Sequence, residues 1–388
     1  MRRFDSYRPC QKNRIAVFVK ILSFEIIMAN SNLTNAKKVK NDEFYTQFGD
    51  IQKEIEAYLE YNPDVFRGKV VYCNCDDPFE SNFFRYFVLN FNKLGLKQLI
   101  TTSYKPSPIA NTQIGLFGDD KTLTKSKGRP KVNANKFIIN EVGDIDGDGE
   151  FNLKDVAKQL KANKHNEWTP LEGEGDFRSD ECISILKQSD IVVTNPPFSL
   201  FREYVKQLFD YNKKFVIIGN MNAITYKEIF PLIKNNKLWL GNGFRAGNAY
   251  FSTPFAKEYG EGIYNPETGL VKFRNVCWFT NLDHGRRHQP LPLMTMEDNL
   301  KFSKHKEIKG KKAYDTYDNY DAIEVPFTNA IPSDYSGVMG VPISFLDKYN
   351  PDQFEIIKFR HGDDGKDLRL KKDGSCPYFR VLMRHKKK

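Results

Sequence analysis

At 388 residues with 40% apolar and 14% aromatic content, the chain is long enough for one large domain or two ordinary ones and has the apolar share of a folded protein. Its formal net charge of +10 suggests an anionic partner, most economically nucleic acid, with a solvated basic surface as the equally weighted plainer reading. The six cysteines are scattered without C-x-x-C spacing and the histidines do not cluster near them, which argues against structural zinc and for a reduced, cytoplasmic setting, while no apolar run approaches the roughly 20 residues that span a bilayer.

Residues 1–27 read as an extension. RIAVFVKILSFEII, beginning at Arg14, is apolar but interrupted by Lys20 and Glu25, and no small-residue cleavage site follows, so a secretory signal is not expected. Met28 opens MANSNLTNAKKVKNDEF, which has the character of a natural start; what precedes it is expected to be dispensable. DIQKEIEAYLEYN, from Asp50, has helical apolar spacing and stops at Asn62-Pro63. GKVVYCNC (Gly68 to Cys75) is a buried-type strand broken by Asp76-Asp77-Pro78. ESNFFRYFVLNFNKLG is an aromatic-rich helix closed by Gly95. LKQLITTSY and KFIINEV follow as strands.

DIDGDGEFNLKD (Asp144 to Asp155) has the spacing of a calcium loop. Oxygen ligands for a structural Ca2+ would come from Asp144, Asp146, Asp148, the Glu150 carbonyl and Asp155, with Gly149 at the sharp turn. Asp155 stands where a bidentate Glu is preferred, and the preceding segment reads as a strand, so a paired EF-hand is not expected. The alternative is an acidic turn capping the helix VAKQLKANK.

Further on, DECISILKQSD is a helix leading into the strand IVVTN, LFREYVKQLFDYNKK is a helix and FVIIGN a strand. This alternation predicts a mainly parallel sheet covered on both faces. At the end of IVVTN two prolines forbid further ladder pairing, at the carboxyl edge where open α/β sheets place ligands. Asn195-Pro196-Pro197-Phe198 can hold an amine. The Asn195 side-chain oxygen and the Pro196 carbonyl can both accept from one planar NH2 group, the proline rings stiffen the loop, and the Phe198 ring can stack on a flat base or amide. Two acceptors leave the amine lone pair available to an electrophile, which suits N-methylation by a sulfonium donor without a metal or covalent enzyme intermediate. The plainer alternative is a proline turn with Phe198 in the core; the strand before and the helix after are the context the amine-holding device needs.

After about Leu240 glycine, aromatic and polar residues intermix. NVCWFTNL (Asn275 to Leu282) is a strand that fits the first sheet, and from Gly340 onward twelve Lys or Arg stand against seven Asp or Glu. This part reads as a second, recognition-type module. PDQFEIIK (Pro351 to Lys358) has a Glu-to-Lys spacing that is wrong for a nuclease signature, so a restriction partner would be a separate polypeptide.

DIVVTNPPF matches motif IV of amino-methyltransferases that use S-adenosylmethionine. With NDEFYTQFGDI (Asn41 to Ile51), VVYCNCDDPFESNFFRYF (Val70 to Phe87), NPPFSLFREYV and VCWFTNLDH, the chain resembles the EcoRI-type adenine-specific DNA methyltransferases over roughly Asn41 to His284. The tetrad is specific to amino methylation but not to DNA; CDDP with SNF, together with CWFTNL, narrows the family. The resemblance implies an α/β, Rossmann-like, doubly wound, mostly parallel methyltransferase domain over residues 28–283 and a C-terminal DNA-recognition module over 284–388. It further implies S-adenosylmethionine as cofactor, double-stranded DNA as partner, and Phe44, Tyr45 and Thr46 close to the cofactor. The usual glycine-rich loop after the first strand is replaced by CNCDDPFESNF. Asp76, Asp77 and Pro78, with Ser81 and Asn82 nearby, are the candidates to cradle the methionine part, or the two aspartates merely cap the next helix. Asp144, just past a strand end, is a candidate for the cofactor's adenine ring, while TTSY ends the second strand without the acidic residue that often holds a ribose. The expected activity is N6 methylation of a flipped adenine in a specific duplex site. Ribosomal RNA guanine-N2 or protein glutamine methylation, and a catalytically silent DNA-binding protein of the same fold, are the alternatives.

Overall fold

The computed structural model describes residues 44–75, 81–104, 134–145, 147–162, 165–244, 248–253, 255–260 and 262–386. In chain order the elements used below are β1 (Tyr45–Thr46), α1 (Phe48–Tyr61), β2 (Val70–Cys73), α2 (Asn82–Leu89), α3 (Phe91–Leu94), β3 (Gln98–Thr102), β4 (Asn135–Ile139), α4 (Leu153–Ala162), β5 (Glu167–Pro170), α5 (Asp180–Gln188), β6 (Ile191–Thr194), α6 (Phe201–Asp210) and β7 (Lys214–Asn220). They continue with α7 (Phe230–Lys234), β8 (Trp239–Leu240), β9 (Asn248–Ser252), β10 (Tyr264–Asn265), β11 (Leu270–Arg274), β12 (Val276–Thr280), α8 (Met296–Phe302), β13 (Ile323–Glu324), β14 (Met339–Pro342), β15 (Phe354–Phe359) and β16 (Arg380–His385). The described residues form two compact units, one of 44–229 and 238–285, the other of 230–237 and 286–386.

Local chemistry accounts for the elements of the first unit. α1 buries Ile51, Ile55 and Tyr58, one helical face at i, i+4 and i+7, and ends before Pro63. Ser81 caps α2 by accepting from the Phe84 amide at 3.3 Å, and Gly95 closes α3 in the left-handed region at φ 62°. β2 and β6 are buried at every position, as central strands should be.

The main sheet has eight strands in the order β5-β4-β3-β2-β6-β7-β12-β8. Within it, parallel pairing is confined to β3, β2, β6 and β7. β4 is antiparallel to β3 and β5 to β4, and β12 is antiparallel to both β7 and β8. The expected mainly parallel sheet is therefore corrected to a mixed one. A strand pairs parallel only when a crossover returns the chain to the starting end, and β12 enters from the opposite end. NVCWFTNL does join this sheet, as β12.

Both faces are covered. Val71, Cys73, Leu99, Ile191, Val193, Val216 and Ile218 share one apolar cluster with Ile51, Ile55, Phe83, Phe84 and Phe87 of α1 and α2. The alternate residues Tyr72, Ile100, Val192, Phe215 and Ile217 are buried too, on the side where α5 packs on β2 and α6 on β7. Gly219 permits that approach: a Cβ there would stand 2.4 Å from the Phe201 ring.

A second, antiparallel sheet of the same unit has the order β1-β9-β11-β10. Its inner residues Ala249, Phe251, Val271 and Phe273 belong to the same apolar cluster, with Phe44 among them.

The second unit is built on the sheet β13-β14-β16-β15, with Tyr317, Leu368, Leu370 and Leu382 in a core cluster. Residues 230–237, expected within an unbroken 28–283 domain, belong here instead. α7 packs on β15, with the Phe230 and Phe359 ring centroids 5.0 Å apart, and Asn236 accepts from Arg287. No helix among the described residues is long and apolar enough to cross a membrane.

Candidate active site

β2 and β6 are neighbours and parallel, with Val71 opposite Ile191 and Tyr72 opposite Val192, so Asn74-Cys75 and Thr194-Asn195 leave the sheet side by side. Three polar groups tie these ends together. The Thr194 hydroxyl donates to the Asn74 carbonyl, and the Tyr204 hydroxyl of α6 donates to Asn74 Oδ1 at 2.5 Å. Burial raises the Tyr204 hydroxyl well above its ordinary pKa, so it stays a donor at any working pH. Cys75 follows at φ 72°, in the left-handed region that only a minority of non-glycine residues adopt.

Asn195 is 7% exposed. Its Nδ2 donates to the Phe44 carbonyl at 2.7 Å, which points Oδ1 the other way. That oxygen is buried and has no hydrogen-bond partner among the described residues. Leaving a buried acceptor unpaired costs about 1–3 kcal/mol, a cost that a bound donor would remove. Pro196 is buried beside it. Pro197 sits at φ −55° and ψ 122°, and its carbonyl accepts from the Leu200 amide at 3.0 Å, closing a single 3-10 turn over Phe198–Leu200. Phe198 is half-buried, packed against the large apolar cluster.

The residues expected near a cofactor divide. Phe44 places its ring in the core, 4.9 Å from the Phe273 centroid and edge-on; only its backbone carbonyl reaches Asn195. Tyr45 and Thr46 form β1, paired with Ser252 and Phe251. The Thr46 carbonyl accepts from Asn82 Nδ2 at 2.8 Å, while its hydroxyl is buried without a partner among the described residues. β1 is thus strapped at one end to Asn195 and at the other to the start of α2. Ser81 is fully buried. Asp76, Asp77 and Pro78 lie outside the described residues.

Asp144 is placed elsewhere. β4 runs antiparallel to β3 with Ile139 opposite Leu99 and Lys136 opposite Thr102, so the chain leaves β4 beyond the start of β3. Asp144 therefore lies past the edge of the sheet opposite to the one that carries Cys75 and Asn195. This corrects its proposed contact with the cofactor's adenine ring, and the cause is the reversed strand.

Its carboxylate accepts from the Gly147 and Gly149 amides at 2.7 and 2.8 Å. Asp148 accepts from the Glu150 amide at 2.9 Å, and the fully buried Asp155 from the Ile145 and Asn152 amides, both at 2.9 Å. Asp146 lies outside the described residues. Among the described residues no group of three His, Cys, Asp or Glu side chains converges as a metal site. These carboxylates fix the turn that leads into α4, the alternative to the calcium reading.

Sequence reasoning passed over Asn74, Thr194 and Tyr204. The available signal was a tyrosine on the buried face of α6, at i+3 from Phe201 and one before Val205.

The sequence model of the family described as "Adenine-specific methyltransferase EcoRI" matches residues 32–386. The chain is 45% identical over 363 residues to the type II methyltransferase M.EcoRI of Escherichia coli, covering 92% of this chain and 97% of that protein. It is 36% identical over 331 residues to the type II methyltransferase M.MpnI of Mycoplasma pneumoniae, with 83% of each chain covered. A third type II methyltransferase, M.MgeORF184P of Mycoplasma genitalium, is 36% identical over 335 residues, covering 84% and 85%. No solved structure matches.

Proposed function

The chain belongs to this family of adenine-specific methyltransferases, and from that premise we propose that it methylates the N6 amine of an adenine extruded from a specific site in duplex DNA, with S-adenosylmethionine as donor. The family leaves the guanine-amine and glutamine-amide alternatives without support. The observation that carries the reading is the buried Asn195 Oδ1, without a partner among the described residues and held in one orientation by the Phe44 carbonyl beside two prolines that offer no competing N–H.

Asn195 Oδ1 accepts one hydrogen of the target amine, and in this reading the Pro196 carbonyl accepts the other. The amine lone pair is then left facing away from both acceptors. Phe198 supplies a flat face for the extruded base, whose removal from the stack is required for access. The cofactor would take the crevice outside β2 and β6, where the Thr46 hydroxyl, without a partner among the described residues, together with Asp76, Asp77 and Pro78, would hold its methionine part. When bound it supplies an electrophilic methyl group. The Asn74–Thr194–Tyr204 ties hold the ends of β2 and β6 in register, so the two strand ends form one rigid edge. The C-terminal unit is the proposed DNA-recognition module, and a cognate endonuclease, in this reading, is a separate polypeptide.

Single-turnover methyl transfer, cofactor binding and melting temperature, measured together, test the assignment. Asn195→Ala is expected to lower transfer by about 10²–10³, as for loss of one preorganised polar group, with little change in cofactor affinity or melting temperature. Phe198→Ala is expected to weaken the extruded state by roughly 1–3 kcal/mol, and Phe198→Trp to preserve it. Near-normal transfer by Asn195→Ala, or activity lost only in step with folding, would remove the basis for the reading.

A further inference from the structure

Two groups of basic side chains stand out in the second unit. Most of those in the β15–β16 region are answered by carboxylates, with Lys366, Lys371 and Lys386 making no ion pair among the described residues. Arg360 pairs with Asp367 at 2.5 Å, Arg369 with Asp318 and Asp364 at 3.3 and 3.1 Å, and Arg384 with Glu355 at 2.7 Å. The partly buried Arg380 pairs with the buried Glu324 at 2.6 Å. Charge held this way is not free to attract a polyanion.

The segment after α8 is different. Lys304, Lys306, Lys309 and Lys312 are exposed, and none makes an ion pair among the described residues; the only acid between them in sequence is Glu307. Their backbone is nevertheless fixed. The Gly310 amide donates to the Leu300 carbonyl at 2.8 Å, closing the loop on α8. Ile308 is 2% exposed, a plug into the unit's interior. The His305 ring stacks on Phe327 with centroids 3.7 Å apart, and its Nε2 lies 2.9 Å from Asn329 Oδ1. Four like charges held close together on a rigid loop repel one another, so an anionic partner of high charge density relieves them.

We propose that residues 303–312 form a backbone-binding surface for duplex DNA, the four lysines lying against phosphates. This rests on the DNA-methylating function proposed above and names a surface for it. The lysines are compact, mobile point charges with no buried donor among them, which suits a repeating phosphate chain rather than one defined anion. Such interactions supply affinity without reading sequence.

The test uses the full chain and a fluorescein-labelled random-sequence duplex, with dissociation constants measured across a salt series. Removing one lysine–phosphate interaction lowers the slope of log K on log salt by about 0.9, so Lys304→Gln, Lys306→Gln, Lys309→Gln and Lys312→Gln combined should lower it by roughly three to four. The same four positions changed to Arg should retain the wild-type slope. A charge-matched control at the exposed Lys53, Lys93, Lys97 and Lys154, all changed to Gln, should lower it far less.

Unchanged melting temperature and cofactor binding in the loop variant would complete the support. A wild-type slope in the Gln variant overturns the inference, as does an equal fall in the control, which would reduce the effect to net charge. Loss of anionic-vesicle binding with DNA binding intact would overturn it in favour of a membrane surface. If the wild-type chain binds the duplex but transfers no methyl group to DNA carrying all sequence contexts, the proposed function fails while the surface stands.

Discussion

Asn74 shows how a residue without chemistry of its own can govern a site. Its carbonyl is held by Thr194 and its side-chain oxygen by Tyr204, so it couples the end of β2 to the end of β6 and to the helix that follows. Tyr204→Phe removes one donor and keeps the ring, which lies 5.0 Å from Phe177. The buried amide oxygen of Asn74, 5% exposed, is then left unpaired at a cost of about 1–3 kcal/mol. We expect a lower melting temperature and a raised KM for S-adenosylmethionine, with kcat changed less, because the β2 end loosens while Asn195 keeps its own partner. Thermal unfolding together with a KM-against-kcat comparison checks this. An unchanged melting temperature would show that the bond contributes nothing.

At the scale of elements, the approach of α6 to β7 decides where the helix behind Phe198 can lie. Gly219 meets the Phe201 ring so closely that an added Cβ would fall 2.4, 2.8 and 3.0 Å from three of its carbons. Phe201 cannot swing away freely, since it is 2% exposed and its centroid is 4.9 Å from that of Phe279. Gly219→Ala is therefore expected to push α6 off the sheet and cost about 1–3 kcal/mol, as overpacking does. Because α6 begins where the Phe198–Leu200 turn ends, methyl transfer should fall as well. Chemical denaturation measures the first effect and single-turnover transfer the second. Gly219→Ala with wild-type stability would mean that the contact is soft. The strand runs β2, β6 and β7 were legible as short apolar, largely β-branched segments because burial on both faces leaves no polar alternation. The direction of β4 was not, since nothing in KFIINEV records which way its neighbour runs. Asp144 was misplaced for that reason.

For the whole molecule, carboxylate–cation pairing ties stability to pH, and the second unit shows the sign. In the second, Asp367 is held below the ordinary carboxylate range chiefly by its hydrogen bond to Arg360, against a smaller opposing effect of burial. Burial pushes Asp315 up, but its bonds to Lys311 and Lys372 outweigh it and the net direction is down. A carboxyl whose folded pKa lies below its unfolded value of 3.8 contributes stability that is complete above that value and is lost as pH falls through the folded pKa. The unit should therefore weaken on acidification below the ordinary carboxylate range. Asp367→Asn should be less stable than wild type near neutrality and lose less of its stability on acidification. Melting temperature against pH checks this, and parallel curves for the two proteins would contradict it.

The sequence by itself determined the chemistry and much of the local structure. An asparagine and two prolines at the end of a buried strand stop the ladder and leave an amide beside a stiff loop, whatever surrounds them. The aromatic face of α2, the glycine stop of α3 and the β12 strand follow equally from residues near in the chain. Tertiary structure alone decided which atoms of the site are free. Phe44 is 151 positions from Asn195, and only the antiparallel seating of β1 on β9 brings its carbonyl to the amide and turns Oδ1 away from it. It also drew residues 230–237 into the second unit. The basic excess counted along the C-terminal stretch was rearranged in the same way. Acids near and far in sequence, such as Asp367 against Arg360 and Glu324 against Arg380, neutralise most of the β15–β16 cations, while Lys304, Lys306, Lys309 and Lys312 make no ion pair among the described residues. Propensity and proline chemistry act between near neighbours, whereas pairing direction, hydrogen-bond partners and charge compensation depend on residues that meet only when the chain has folded.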